Sequence, residues 1–173
     1  LLPINLGKYV DKISDTDLEA LDLLILYDYD YSNSVGFKRI GEYLKKGGQV
    51  FIDSGVETKH SDDRQQTTPD FFPYERLVRR SLGKTWDFQN IHDDLVRDVD
   101  LSKFSPPLFD QYEWKQAYSL DSEVRKGIEV WLTNHDKPVI TSQKVGSGKV
   151  VWTGINLFYH VTRNNNLDEG VFL

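Results

Sequence analysis

The chain has 173 residues, 28% charged and 39% hydrophobic, with a net charge of −6. This is the composition of a folded domain with its own core, and it excludes a disordered chain and, with no basic cluster, a nucleic-acid binder. The lack of cysteine excludes a catalytic thiol, a cysteine-held zinc and a disulfide framework, and no apolar run reaches the roughly 18 residues of a membrane span.

Ser14 or Thr16 caps a short helix with acids in its first turn and Leu18 and Leu21 on its apolar face. The continuous run Leu23 to Tyr27 then reads as a strand buried on both faces. In "SVGFKRIGEYLKKGG", Val35, Phe37, Ile40, Tyr43 and Leu44 recur at helical spacing. Lys45 and Lys46 suit the negative end of the helix dipole, and Gly47 suits a left-handed stop. "QVFID" follows as a second buried strand, and strand, helix and strand with short joints predict a right-handed crossover and a parallel pair. Residues 54–70 are polar and patternless, which predicts a long loop. "FFPYERLVRRSLG" predicts a helix with Pro73 in its first turn. Between Lys84 and Leu120, the strand-like pieces "KTWDFQ" and "YEWKQAYSL" flank a break at Pro106-Pro107. "GIEVWLTN", "KPVITSQKV" and "GKVVWTGINL" predict three closing strands, turned at Asn134-His135-Asp136 and at Gly146-Ser147-Gly148. Residues 164–173 predict the start of a helix capped by Asn166. The chain opens Leu1-Leu2-Pro3 without methionine and without a signal-peptide pattern. The expected organisation is therefore a single α/β domain, residues 1–173, cut from a longer protein, with an irregular insertion at about 54–120.

Three pieces together resemble one family. They are "LDLLILYDYDYSNSVGFKRIGEYLKKGGQVFIDSG", the helix and exit "RLVRRSLGKTWDF", and the closing hairpin "KPVITSQKVGSGKVVWTGIN". The arrangement, over roughly residues 17 to 155, is similar to the class I glutamine amidotransferase-like superfamily. It looks closest to non-catalytic branches such as the β-galactosidase middle domain and soluble domains of large prokaryotic membrane proteins. The resemblance implies a three-layer flavodoxin-like or amidotransferase-like α/β domain, with a mostly parallel sheet and antiparallel edge strands. The first strand of such a sheet is not visible in the sequence. Catalytic members carry a cysteine on a tight turn after a strand and a His-x-Glu pair after the last strand. Here the turn holds Asp53-Ser54-Gly55, and His160 is followed two places on by Thr162, with Glu169 further along. Glutamine hydrolysis by that route is excluded.

Within that frame Asp53, Ser54, Glu57, Asn156 and His160 fall at one end of the sheet and form the expected ligand cleft. A hydrolase for a small or carbohydrate substrate would use Asp53, Ser54 and His160. The window Ile52-Asp53-Ser54-Gly55-Val56, however, lacks the flanking glycines of a nucleophile elbow, and Asp53-Ser54-Gly55 is also an ordinary strand exit. Asp28 and Asp30, with Ser32 and Asn33, offer oxygen ligands to a divalent cation, or else cap the next helix. His60, His92, His135 and His160 have no metal-ligand spacing. Trp86, Trp114, Trp131 and Trp152 fall in strand-like pieces and belong to a core, unless Trp86 and Trp114 are exposed as a sugar platform. The expected function is a non-catalytic module that binds a small ligand or a protein, without cofactor, in a larger membrane-anchored protein and outside the cytoplasm. The alternatives are the hydrolase and a structural oligomerisation domain.

Overall fold

A computed structural model describes residues 4–31, 33–54, 67–81, 85–91, 115–119 and 123–158. After a single 3-10 turn at Val10–Lys12, the helix α1 spans Asp15–Glu19. Ser14 caps it in a closed box: the Asp17 N–H donates to Ser14 Oγ at 3.1 Å, and the Ser14 N–H donates back to Asp17 Oδ2 at 2.9 Å. The strand β1 (Leu23–Leu26), the helix α2 (Val35–Lys45) and the strand β2 (Gln49–Asp53) follow, and β1 and β2 pair in parallel, as predicted. Asn33 Oδ1 accepts the Val35 N–H at 2.9 Å and so starts α2. Gly47, at φ 112°, ends it, and the Gly48 N–H returns to the Tyr43 carbonyl.

The remaining strands are β3 (Val78–Ser81), β4 (Phe88–Asn90), β5 (Lys115–Tyr118), β6 (Glu129–Asn134), β7 (Lys137–Val145) and β8 (Gly148–Thr153). Six strands form one sheet in the order β1-β2-β8-β7-β6-β4, and β3 pairs with β5 separately. The pairs β1–β2 and β2–β8 are parallel, whereas β8–β7, β7–β6 and β6–β4 are antiparallel. The domain is mixed α/β, but its sheet is not mostly parallel: two tight hairpins build the antiparallel half. The third layer of the expected three is not found among the described residues, whose helices α1 and α2 join a single core.

That core sets Leu18, Phe37, Ile40 and Leu44 from the helices against Leu24, Leu26, Val50, Ile52, Val150 and Trp152 from the sheet. Ile40, Leu44 and Ile52 are fully buried, each contributing about 1.5–3 kcal/mol of transfer free energy. The strand residues are alternate ones, so the intervening Leu23, Ile25, Phe51 and Val151 point to the opposite face. Hence β1 is not buried on both faces: Leu23 and Ile25 are 42% and 47% exposed. A second cluster gathers Trp131, Leu132, Val139, Ile140, Ile155 and Leu157 around the β6–β7 hairpin.

The helix predicted from "FFPYERLVRRSLG" does not form. Residues 70–76 turn and bend, and Val78–Ser81 becomes β3. The helix-like spacing of aromatic residues there has another cause: Phe71, Phe72 and Tyr74 insert into the core as a loop. Arg125 holds that loop from outside, donating to the carbonyls of Thr68, Pro69 and Phe72.

Candidate functional site

The carboxyl ends of β2 and β8 lie side by side, with Asp53 in register with Thr153 and the Ser54 N–H on the Thr153 carbonyl at 2.9 Å. Asp53 is buried, and its Oδ2 accepts the Phe158 N–H at 3.4 Å, tying β2 to the chain that leaves β8. Asn156 lies half-buried on that same exit. Asp53, Ser54 and Asn156 therefore occupy one end of the sheet. Glu57 and His160, the other two residues predicted for the cleft, lie outside the described residues, as do His60, His92 and Trp114.

Ser54 is only 8% exposed, and its Oγ accepts the Trp152 indole N–H at 2.9 Å. The Tyr29 phenol hydrogen-bonds the same hydroxyl; burial pushes its pKa well up from the ordinary 10.0, which Ser54 and Arg79 partly oppose and Tyr31 and Asp53 reinforce. An indole N–H is no base, and a phenol held neutral is none at neutral pH. These contacts position Ser54 as a packing hydrogen bonder. Tyr74 lies edge-on to Trp152 at 6.0 Å between centroids, with its own phenol raised by burial. Tyr29 and Tyr74 are the members of this cluster that sequence reasoning did not single out, and in the sequence Trp152 reads only as a core residue. The signal was present in the aromatic residues of "YDYDY", "FFPYER" and "VVWTG", but their meeting point depends on the tertiary fold, including the β2–β8 pairing.

Asp28 and Asp30 meet a lysine. Lys8 Nζ lies 3.5 Å from Asp28 Oδ1 and 3.6 Å from Asp30 Oδ2. Asp30 also bridges the backbone of residues 8–10, donating to the Lys8 carbonyl and accepting from the Val10 N–H. Asn33, the fourth oxygen ligand considered, instead accepts the Val35 N–H at the start of α2, and Ser32 lies outside the described residues. Among the described residues no group of three or more His, Cys, Asp or Glu side chains is placed to hold a metal ion. His135 stands in the β6–β7 turn, where its Nε2–H donates to the Thr85 carbonyl at 2.7 Å. Trp86 packs on Phe88 at 5.1 Å and is half-buried against the second cluster, Trp131 and Trp152 are buried, and all three serve the cores.

A second feature lies on the sheet face away from α2. A shallow groove of about 150 Å³ runs across β1, β2 and β8, floored by Leu23, Ile25, Phe51, Val151 and Phe158, with Lys149 at its border. Phe158 packs on Tyr27 at 4.9 Å and on Phe51 at 5.8 Å, so one wall of the groove is aromatic.

No protein-family model and no curated protein matches the chain. Solved structures do align. Cytoplasmic protein STM3548 from Salmonella typhimurium aligns with a TM-score of 0.58 and 15% identity, over 83% of this chain and 64% of that one. This chain thus spans less than two thirds of that protein's length. The mmIFT52 N-terminal domain aligns with a TM-score of 0.50 and 12% identity, over 92% of this chain and 77% of that one. The GH42 β-galactosidase Gan42B from G. stearothermophilus gives 0.44 and 15%, over 91% and 22%, a similarity too low to carry an argument. The first two likenesses establish a shared α/β fold and nothing about activity. Among the described residues no helix is long and apolar enough to cross a membrane.

Proposed function

We propose that this chain is a non-catalytic interaction module that docks a protein partner on the open face of its sheet, within the larger membrane-anchored protein that the resemblance implies. The observation that carries the reading is the apolar groove across β1, β2 and β8, where Leu23 and Ile25 of β1 stand exposed beside the half-buried Phe51 and Val151. Contiguous apolar surface of this kind marks interaction sites more often than isolated exposed residues do. The strand-end cluster supports the non-catalytic half of the proposal, because the Ser54 hydroxyl is buried and held by Trp152 and Tyr29. A nucleophile requires a base within reach and an approach for substrate.

Site-specific photo-crosslinking tests this. A photoreactive amino acid at Ile25, on the open face, is expected to give a discrete heterologous adduct in cells making the full protein. The same group at Lys38, exposed on α2, is expected to give none. Equal labelling at both positions, or none at Ile25, would defeat the interaction reading. An adduct at twice the chain's own mass would favour the oligomerisation alternative.

A further inference from the structure

We infer that the partner of this open face is an amphipathic helix of another protein, with acidic residues bordering its apolar stripe. The inference rests on the face being the binding surface proposed above.

Shape is the first argument. Wholly parallel sheets are covered on both faces, whereas a mixed sheet such as this one can leave a face open. Here β1, β2 and β8 form a parallel trio. Helices α1 and α2 belong to the core on one side of it, while on the other side Phe51 and Val151 pack against the second cluster and Leu23 and Ile25 stay exposed. Three strands spaced about 4.8 Å apart make a floor about 10 Å wide, close to the roughly 10–12 Å diameter of a helix with its side chains. The depression holds only about 150 Å³, below the roughly 300 Å³ at which small-molecule pockets begin. A shallow apolar floor suits a convex rod better than an enclosed small ligand.

Charge is the second argument. Lys149 on β8 is in register with Lys144 on β7, so the two lysines share a face and stand directly opposite each other. Like charges so placed are unfavourable. Neither lysine enters an ion pair among the described residues, although the chain carries 27 acidic residues against 21 basic ones. Lys149 instead lies 4.7 Å from the centre of the Trp131 ring. Glu129, in register with Ser142 and so on the same face, accepts from the Trp131 indole N–H and the Ser142 hydroxyl. A groove edged by Lys149, with Lys144 beside it and neither in an ion pair among the described residues, is complementary to an apolar stripe bordered by carboxylates.

The test is a display library of helical peptides about 18 residues long, or about five turns. Their apolar stripe is held constant, and the border positions are randomised among acidic, basic and neutral residues. The intact chain is expected to select acidic borders by about tenfold over basic ones, an effect that weakens with added salt. The double reversal Lys144→Glu, Lys149→Glu is expected to switch the preference to basic borders. Neutral or basic selections on the unchanged chain would overturn the acidic partner. If Ile25→Lys abolished those selections, the interaction face itself would stand. Selected peptides that still bind Ile25→Lys would overturn both readings. A library that yields no binder would overturn the helix, and the crosslink at Ile25 then decides whether the face remains. A second copy as occupant would appear as a solution mass above 20.1 kDa that Ile25→Lys restores, and a lipid as palmitate uptake that Ile25→Lys removes. Either outcome would overturn the inference. Circular dichroism confirms that each variant is folded, as expected for exposed positions.

Discussion

The Trp152 indole N–H, the Ser54 hydroxyl and the Tyr29 phenol form a chain of contacts that water barely reaches. Removing the middle member by Ser54→Ala leaves a buried indole donor without its acceptor, at an expected cost of about 1–3 kcal/mol. A urea titration reads this as a lower midpoint at unchanged slope. Burial also keeps Tyr29 and Tyr74 protonated above pH 10.0, where the same groups ionise in the unfolded chain. Their contribution is therefore whole below about pH 10 and declines as pH rises beyond it. Urea midpoints are expected to fall between about pH 8 and pH 11, and Tyr29→Phe to flatten that fall. Asp53, Ser54 and Asn156 stand at one end of the sheet, a position legible in the sequence because strand ends can be read from a short apolar run and its exit. The sequence could not show the role of Ser54, since its acceptor bond comes from Trp152, distant in the chain and brought near only by strand pairing.

The two hairpins of the antiparallel half turn differently. Between β6 and β7, His135 and Asp136 both adopt positive φ, 48° and 62°, the mirror-image turn that matches strand twist. Asp136→Gly is expected to relieve the left-handed conformation and stabilise the chain by about 0.5–1 kcal/mol, seen as a rise in Tm. Between β7 and β8, the turn lies tight beneath the end of α2. The Ser147 and Lys149 N–H groups donate to the Lys45 and Gly48 carbonyls, and a β-carbon on Gly148 would come within 2.3 Å of the Leu44 and Gly48 oxygens. Gly148→Ala is expected to cost about 1–3 kcal/mol through overpacking, measured by the same titration. These turns, the capping box of α1 and the ends of α2 were legible because each rests on neighbouring residues. The false helix at 71–83 was not, because Arg125 holds that loop from far along the chain. Arg125→Ala is expected to release it, costing about 2–3 kcal/mol, and hydrogen exchange at Phe72 should accelerate accordingly.

The sheet divides at β8 between a parallel part built by crossover and an antiparallel part built by hairpins. The crossover of β1, α2 and β2 was predicted from apolar runs and spacing. The proportion of parallel strands was not, because strand order depends on contacts that no local pattern encodes. The open face of β1 escaped for a related reason: Leu23 to Leu26 reads as doubly buried until its place at the sheet edge is known. The position of β8 also sets a timetable for synthesis. Only β1 can pair with β2 until residues 148–153 have been made. At translation rates of 5–20 residues per second, the free edge of β2 waits on the order of 5–20 s after its own synthesis. During that interval the nascent amino-terminal half exposes both an apolar face and an unpaired strand, the period in which a chaperone has most to bind.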